Sequence, residues 1–293
     1  MEQYTIAIDA SVDIEESYLK ENGITLIPMK YMLGGKECVL EKRLTEDEMH
    51  AFYDAMRDGA PVSTSQITPF FYEEVFGREA AAGNNVLYLS LSGGLSNTYN
   101  SACSAVQDLQ EDYPGFRAEV VDTLAGTGGM GLLLIKAVEG RAQGLSLAEN
   151  AAKLRELAKK VCHWFFVDDL VYLRRGGRIS AATAIAGAML NIKPVLRIDE
   201  EGKLISFSKQ RGLPRVKRFL AEEFEAAKEP ALGHDVMLIH ADCEDRIPDL
   251  RDKVLAADPE AKIHICSLSP IIGAHTGPGM MAVIHFGKRD LTL

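Results

Sequence analysis

What this chain lacks narrows its work before any motif is read. Its five cysteines, Cys38, Cys103, Cys162, Cys243 and Cys266, are odd in number and widely spaced, with no Cys-x-x-Cys pair. A disulfide scaffold is therefore not expected, and reduced thiols in a cytoplasmic protein are. No apolar run reaches the roughly 18 residues that a membrane span needs. The first residues carry Glu2 and no basic region, so neither a signal peptide nor stable membrane insertion is expected. Positive charge is in deficit: a net charge of −10 argues against nucleic acid as the main partner. The seven histidines show no metal spacing such as His-Glu-x-x-His. The Gly-x-x-x-x-Gly-Lys-Ser/Thr spacing of a phosphate loop is missing, as is an evident carboxylate cluster for magnesium. There is no internal repeat and no low-complexity segment.

What remains is an ordinary globular composition, 47% hydrophobic and 25% charged over 293 residues, long enough for two domains. Charge is unevenly spread. From Arg174 to Arg218 there are eleven basic and three acidic residues, a local balance of +8 that leaves −18 on the rest. Such a stretch reads either as a docking surface for an acidic partner or anionic ligand, or as solvated faces that lie close in sequence.

Strand and helix signals alternate through the first half. Thr5–Ile8 and Ile24–Met29 read as strands, and Tyr31–Leu33 with Lys36–Leu40 as a hairpin turning at Gly34-Gly35. Thr45 with Glu48 and Ser146 with Glu149 are capping boxes, opening helices to about Arg57 and Lys160. Pro69 after Thr68 opens a helix through Phe76. Val86–Leu91 and Glu119–Val121 are buried strands, followed by helices from about Asn97 to Leu109 and on to Val138. This alternation predicts a mostly parallel sheet with helices on both faces.

Beyond Lys160 the pattern changes to α+β. Val161–Val167 is a strand; Pro194–Ile198 and Leu204–Phe207 form an antiparallel pair turning at Glu201-Gly202. A helix spans about Pro214 to Ala227, Val236–His240 and Ile263–Cys266 flank a helix at Ile247–Ala256, and Met280–Phe286 closes the order. The expected architecture is thus α/β with two domains. Residues 1–160 form an α/β domain with a small hairpin insertion near 28–42, and residues 161–293 an α+β domain, with a ligand between them.

Four polar clusters carry what chemistry there is. Ser90–Ala102 reads as strand, glycine turn and helix start, where unpaired backbone N–H groups together with Gly94, Ser96, Asn97 and Thr98 could hold an anion; Ser96 reads equally as a helix cap. Gly126–Gly131 fits Gly-x-Gly-x-x-Gly formally, but the acid of a dinucleotide site is missing, and close helix–sheet packing explains the glycines better. Thr64 and Ser65 are placed in a loop before a helix, with Gln66 able to orient Thr64. His275 falls in a glycine-rich loop, Gly273–Gly279, as a donor to carboxylate or phosphate or as a histidine bonded to its own backbone. Arg178, after Gly176-Gly177, suits bidentate contact with an anion or a structural ion pair between domains. The run Ile179–Leu190, with five alanines, Gly187 and Met189, fits an apolar channel wall or plain helix packing.

Taken in order, these segments resemble the DegV family of bacterial fatty-acid-binding proteins over nearly the whole length. The resemblance rests on Asp9-Ala10-Ser11 after the opening strand, the segment after Ile27-Pro28-Met29, Ser63–Gln66, Gly94–Thr98 and Val121-Asp122-Thr123. The run Leu170 to Leu196 with LRRGGRIS and NIKPVL, and the His275 loop, complete it. The chain departs from the family pattern at Ile67 and Thr68, where proline and serine are usual, and at Gly93 and Asn97, where serine and glycine are. The resemblance implies a carboxylate held by Thr64, Ser96 and His275, with Ser65, Gly94, Asn97, Thr98 and Arg178 as secondary contacts. It implies no catalytic residue, metal or cofactor of the chain's own. It also implies a partner, a fatty acid kinase that phosphorylates the bound acid; the basic stretch, including Arg211 and Arg215, would be part of the docking face. The chain is expected to be a monomer. Autonomous phosphotransfer, by likeness to a domain of dihydroxyacetone kinases, and lipid sensing through a protein contact are the competing readings. Burying about fourteen methylenes at about 0.8 kcal/mol each gains roughly 11 kcal/mol before ordering costs, so the tail would supply the affinity.

Overall fold

The computed structural model describes residues 3–179 and 191–289. In the first half the chain forms β1 (Tyr4–Asp9), α1 (Glu16–Glu21), β2 (Ile24–Ile27), β3 (Met29–Leu33), β4 (Lys36–Leu40) and α2 (Glu46–Arg57). Then follow β5 (Val62–Thr64), α3 (Pro69–Ala81), β6 (Asn85–Ser90), α4 (Thr98–Asp112), β7 (Ala118–Asp122), α5 (Gly128–Ala142) and α6 (Leu147–Ala158). The apolar runs of β1 and β6 are buried, as expected of strands covered on both faces, and the sheet β2-β1-β6-β7 is parallel throughout. Both capping boxes close in each direction: Thr45 and Ser146 each accept from the backbone N–H three residues on, and Glu48 and Glu149 reach back to the cap N–H.

The second half gives β8 (Val161–Phe166), α7 (Val171–Arg175), β9 (Ile192–Ile198), β10 (Leu204–Arg211) and α8 (Leu213–Ala227). It ends with β11 (Asp235–His240), α9 (Ile247–Ala257), β12 (Lys262–Ser267), α10 (Pro270–Thr276) and β13 (Met281–Phe286). Six strands form a mixed sheet in the order β10-β9-β8-β13-β11-β12, in which only β11 and β12 run parallel. Strand alternation divides β8 and β13 between two cores. Trp164, Phe166, Met281 and Val283 pack with Leu220 and Phe224 of α8, while Phe165, Ala282 and Ile284 join the core built on the parallel sheet.

Helix α5 touches strands of both sheets, and its glycines make this possible. A Cβ on Gly128 would stand 2.8 Å from Met237 Cβ, and one on Gly129 would overlap the His163 ring. The Gly-x-Gly-x-x-Gly pattern is therefore a helix–sheet packing device. A second fastening joins the sheets at the β9–β10 turn. Ser92 Oγ donates to the Gly202 carbonyl at 2.8 Å, and Gly94 lies so close that a Cβ there would meet Glu201 O at 2.6 Å.

Two local readings are corrected. Thr64 is not in a loop: it ends β5, a three-residue edge strand opposite Tyr31, and Ser65 N continues the pairing to Lys30 O at 3.1 Å. His275 is not in a glycine loop either; it occupies the last turn of α10, whose end is set by Gly277 at φ +76°. The short helices α1 and α7 carried no sequence expectation. The alanine-rich run proposed as a channel wall lies, apart from Ile179, outside the described residues. Among the described residues no helix is long and apolar enough to cross a membrane.

Candidate functional site

A cavity of about 250 Å³ opens where the C-terminal end of the parallel sheet faces the mixed sheet. Thr64, Ser65, Gln66, Ser96, Asn97, Arg178 and His275 supply its polar lining. Thr127, His163 and Thr276 also reach the lining, and most of the rest is hydrocarbon: Leu91 and Leu95 after β6, Phe165 on β8, Ile198 and Leu204 of the β9–β10 hairpin, Ile271 and Ile272 on α10, and Met280, Ala282 and Ile284 leading into and along β13. The last three are alternate residues of an extended chain and so face one way, spanning about 13 Å at roughly 3.3 Å per residue.

Thr64 and His275, 211 positions apart, meet directly: Thr64 Oγ1 lies 2.8 Å from His275 Nε2. The ring is fixed from behind, because a Cβ on Gly176 would overlap Nδ1. Burial, then the Arg178 guanidinium, push the His275 pKa down to about 4, so the imidazole is neutral at pH 7. Its Nδ1 is buried and has no hydrogen-bond partner among the described residues. Leaving a lone pair there costs less than leaving an N–H, which favours Nε2–H donating to Thr64 and leaves the Thr64 hydroxyl proton free for another acceptor.

Across the cavity, Ser96 Oγ lies 2.8 Å from Thr98 Oγ1 and accepts from Thr98 N at 3.3 Å. The N-cap of α4 is Asn97, with no side-chain cap bond. The N–H groups of Gly93 to Ser96, ahead of the helix, are engaged within the protein: Gly93 N bonds to the Asp122 carboxylate, Gly94 N to Ser92 Oγ, and Leu95 N and Ser96 N to Ser92 O. These four amides are therefore not free to bind an acceptor in the cavity. Arg178 donates through Nε to Leu95 O at 3.2 Å and through Nη1 to Gly176 O. It bridges the two halves through carbonyls, and burial lowers its pKa.

Of the sequence candidates, Thr64, Ser65, Ser96, Asn97, Arg178 and His275 converge on the cavity. Gly94 instead seats the β9–β10 turn, and Thr98 is buried behind Ser96. Arg211 and Arg215 stand exposed at the end of β10 and the start of α8, away from the cavity lining. Missed from sequence were the wall residues on β8 and β13, His163 included. The alternation along Val161–Phe166 and Met280–Phe286 was the available signal.

The comparisons with known proteins converge on one family. A family model named DegV, described as an uncharacterised protein family, matches residues 3–288. The chain belongs to the DegV family. A DegV domain-containing protein of Clostridium perfringens is 33% identical over 289 residues, covering 98% of both chains. A fatty-acid-binding DegV family protein from Thermus thermophilus superposes with a TM-score of 0.84 at 31% identity, covering 97% of this chain and 99% of that one. A DegV lipid-binding protein from Thermotoga maritima gives 0.83 at 28% identity, covering 98% and 100%. The Streptococcus pneumoniae fatty acid kinase B3 protein, solved with linoleic acid, has the same fold: TM-score 0.83 at 21% identity over 97% of this chain and 99% of that one. DegV-fold proteins thus include fatty-acid binders, and their α/β architecture is the one described above.

Proposed function

We propose that this DegV chain binds one long-chain fatty acid, tail inward, with the carboxylate held by Thr64, Ser96 and His275. The observation that carries this is the neutral Thr64–His275 pair on a cavity where a cluster of polar side chains meets a wall of aliphatic and aromatic ones. An ionised carboxylate withdrawn from water needs several donors. The Thr64 hydroxyl, oriented by His275, and the Ser96 hydroxyl supply two without burying a cation beside an alkyl chain. Ser65, Asn97 and the Arg178 side chain stand near enough on the lining to adjust the carboxylate or a water beside it. In this reading the chain divides near residue 160, and the acid lies between the two parts.

The role that fits best is non-catalytic: the protein presents the acid to a partner kinase that forms the acyl phosphate, with exposed Arg211 and Arg215 on the docking side. The likeness in fold to the pneumococcal fatty acid kinase B3 protein supports looking for that partner. The test is mass spectrometry of an organic extract of the denatured protein, with uptake of palmitic or oleic acid by delipidated protein. One long-chain acid per chain is expected. No lipid in the extract and no uptake would end the proposal. Incubation with ATP, magnesium and the acid should give acyl phosphate only when a kinase is added; turnover without one would make the chain an enzyme.

A further inference from the structure

The contact that defines the site joins the two halves of the chain: Thr64 ends β5, and His275 sits in the last turn of α10. The three residues that lead into α10 are each gripped by a side chain from the first half. Arg43 Nη2 donates to Ser267 O at 2.8 Å, the Tyr53 hydroxyl donates to Leu268 O at 2.8 Å, and the Asp13 carboxylate accepts from Ser269 N at 3.0 Å. Ser269 O in turn accepts from Gly273 N at 2.8 Å, so the fastening passes into the helix. Gly273 lies directly on Tyr53, where a Cβ would overlap the phenol oxygen. Asp13 and Tyr53 are fully buried, so water does not compete for these bonds.

Asp13 also fastens a second wall of the cavity. It pairs with Arg43 and accepts from Thr127 Oγ1. Thr127 lines the cavity at φ +49°, a left-handed conformation that strains a β-branched residue and persists only where its surroundings impose it. One buried carboxylate thus fixes the approach to α5 and the approach to α10 together. Tyr53 lies on α2, and the chain passes from α2 through a short turn into β5. Both members of the Thr64–His275 pair are therefore referred to the same helix.

We infer that Asp13, Arg43 and Tyr53 are positioning residues for the head-group site: they hold His275 within hydrogen-bond reach of Thr64 and so set how strongly the chain grips a carboxylate. None of the three is on the cavity lining, so they act through α10 and not on the acid. This rests on the fatty-acid reading given above and adds the residues that tune its polar end.

The experiment measures dissociation constants of delipidated full-length protein for palmitic acid and methyl palmitate, which share a tail and differ in charge. Displacement of a fluorescent fatty acid reads both. The wild type is compared with Tyr53→Phe, Asp13→Asn, Arg43→Met and Arg43→Lys. The wild type should bind the acid about tenfold or more tighter than the ester. A hydrogen bond to a charged group is worth about tenfold in affinity, so shifting His275 off Thr64 should cut that preference about tenfold in the first three variants. The ester's own affinity should stay near the wild-type value. Arg43→Lys, which keeps the charge beside Asp13, should recover part of the preference that Arg43→Met loses. Tyr53→Phe removes one grip without stranding a buried charge, so it decides the matter alone if the other variants fail to fold. An unchanged acid-to-ester ratio in Tyr53→Phe overturns the inference. Equal weakening of both ligands also overturns it, since the three residues would then support the cavity as a whole. A wild type that binds the acid no better than the ester would instead remove the head-group reading, and the inference with it.

Discussion

Four histidines whose pKa burial lowers, His163, His275, His285 and His240, make the protein's stability a steep function of pH on the acid side. His163 is held at a pKa of about 3, and His275 and His285 at about 4, chiefly because burial penalises the charged ring. In the unfolded chain each returns to about 6.5. The folded-state values are depressed, so the unfolded state binds more protons, and the stabilisation present above pH 6.5 is lost as pH falls toward the folded values. Between pH 7.5 and 5.5 His163, His275 and His285 each withdraw about 1.3 kcal/mol, or about 4 kcal/mol together, which is a large share of a typical total of about 5–15 kcal/mol. His264 works the other way: its hydrogen bond to Asp235 raises its pKa, so it gains stabilising weight as the solution is acidified and trims the loss. Urea unfolding of the delipidated protein at the two pH values, for the wild type and His275→Gln, measures this. The variant should lose about 1.3 kcal/mol less than the wild type over that interval, whatever its stability at pH 7.5. If both proteins lose the same amount, His275 is not the desolvated neutral imidazole on which the site's hydrogen-bond logic depends.

Two further outcomes are expected. Thr64→Ala and Ser96→Ala should each weaken binding of a long-chain acid by about 1–3 kcal/mol, read by fluorescence displacement; unchanged affinity in both would place the head group elsewhere. Gly94→Ala drives a methyl group against the Glu201 and Gly202 backbone, at 2.6 and 2.7 Å, and should cost about 1–3 kcal/mol in urea unfolding. An undiminished midpoint would mean that the β9–β10 turn moves aside freely.

Elements whose signals are local were legible. The capping boxes at Thr45 and Ser146 need only residues three apart, and both helices begin where those residues predict. The pairing of β9 with β10 followed from its turn, although the ladder shifts register between Ser206 and Ser208. Strand β5 was read as a loop because three residues show no alternation, and only its partner Tyr31, more than thirty positions earlier, makes it a strand. Helix α10 was read as a loop because glycines suggest turns. Gly273 is there for a different reason: a Cβ would overlap the Tyr53 hydroxyl. Pro270 after Ser269 was a helix-start signal that the glycines outweighed.

The site was legible in its residue types but not in its donors. Thr64, Ser96 and His275 were singled out through the order of their motifs and line one cavity, while the meeting of Thr64 with His275 spans 211 positions that no local pattern reports. The amides around Ser96 looked free because the sequence does not show Ser92 and Asp122 bonding to them. His163 went unnoticed for a related reason: the glycine that admits its ring lies on a different element, 34 residues earlier.

The turn at Glu201-Gly202 is flanked by Ile198 and Leu204, which belong to the cavity wall, while the turn itself is held by Ser92. Lid and latch are thus one piece of backbone. Any fluctuation that unhooks the serine also strips two side chains from whatever occupies the chamber, and an occupant pressing on those side chains keeps the hook engaged. Under the proposed function, filling the interior and seating this turn would reinforce each other, so a contact that lifts the turn would also loosen the occupant.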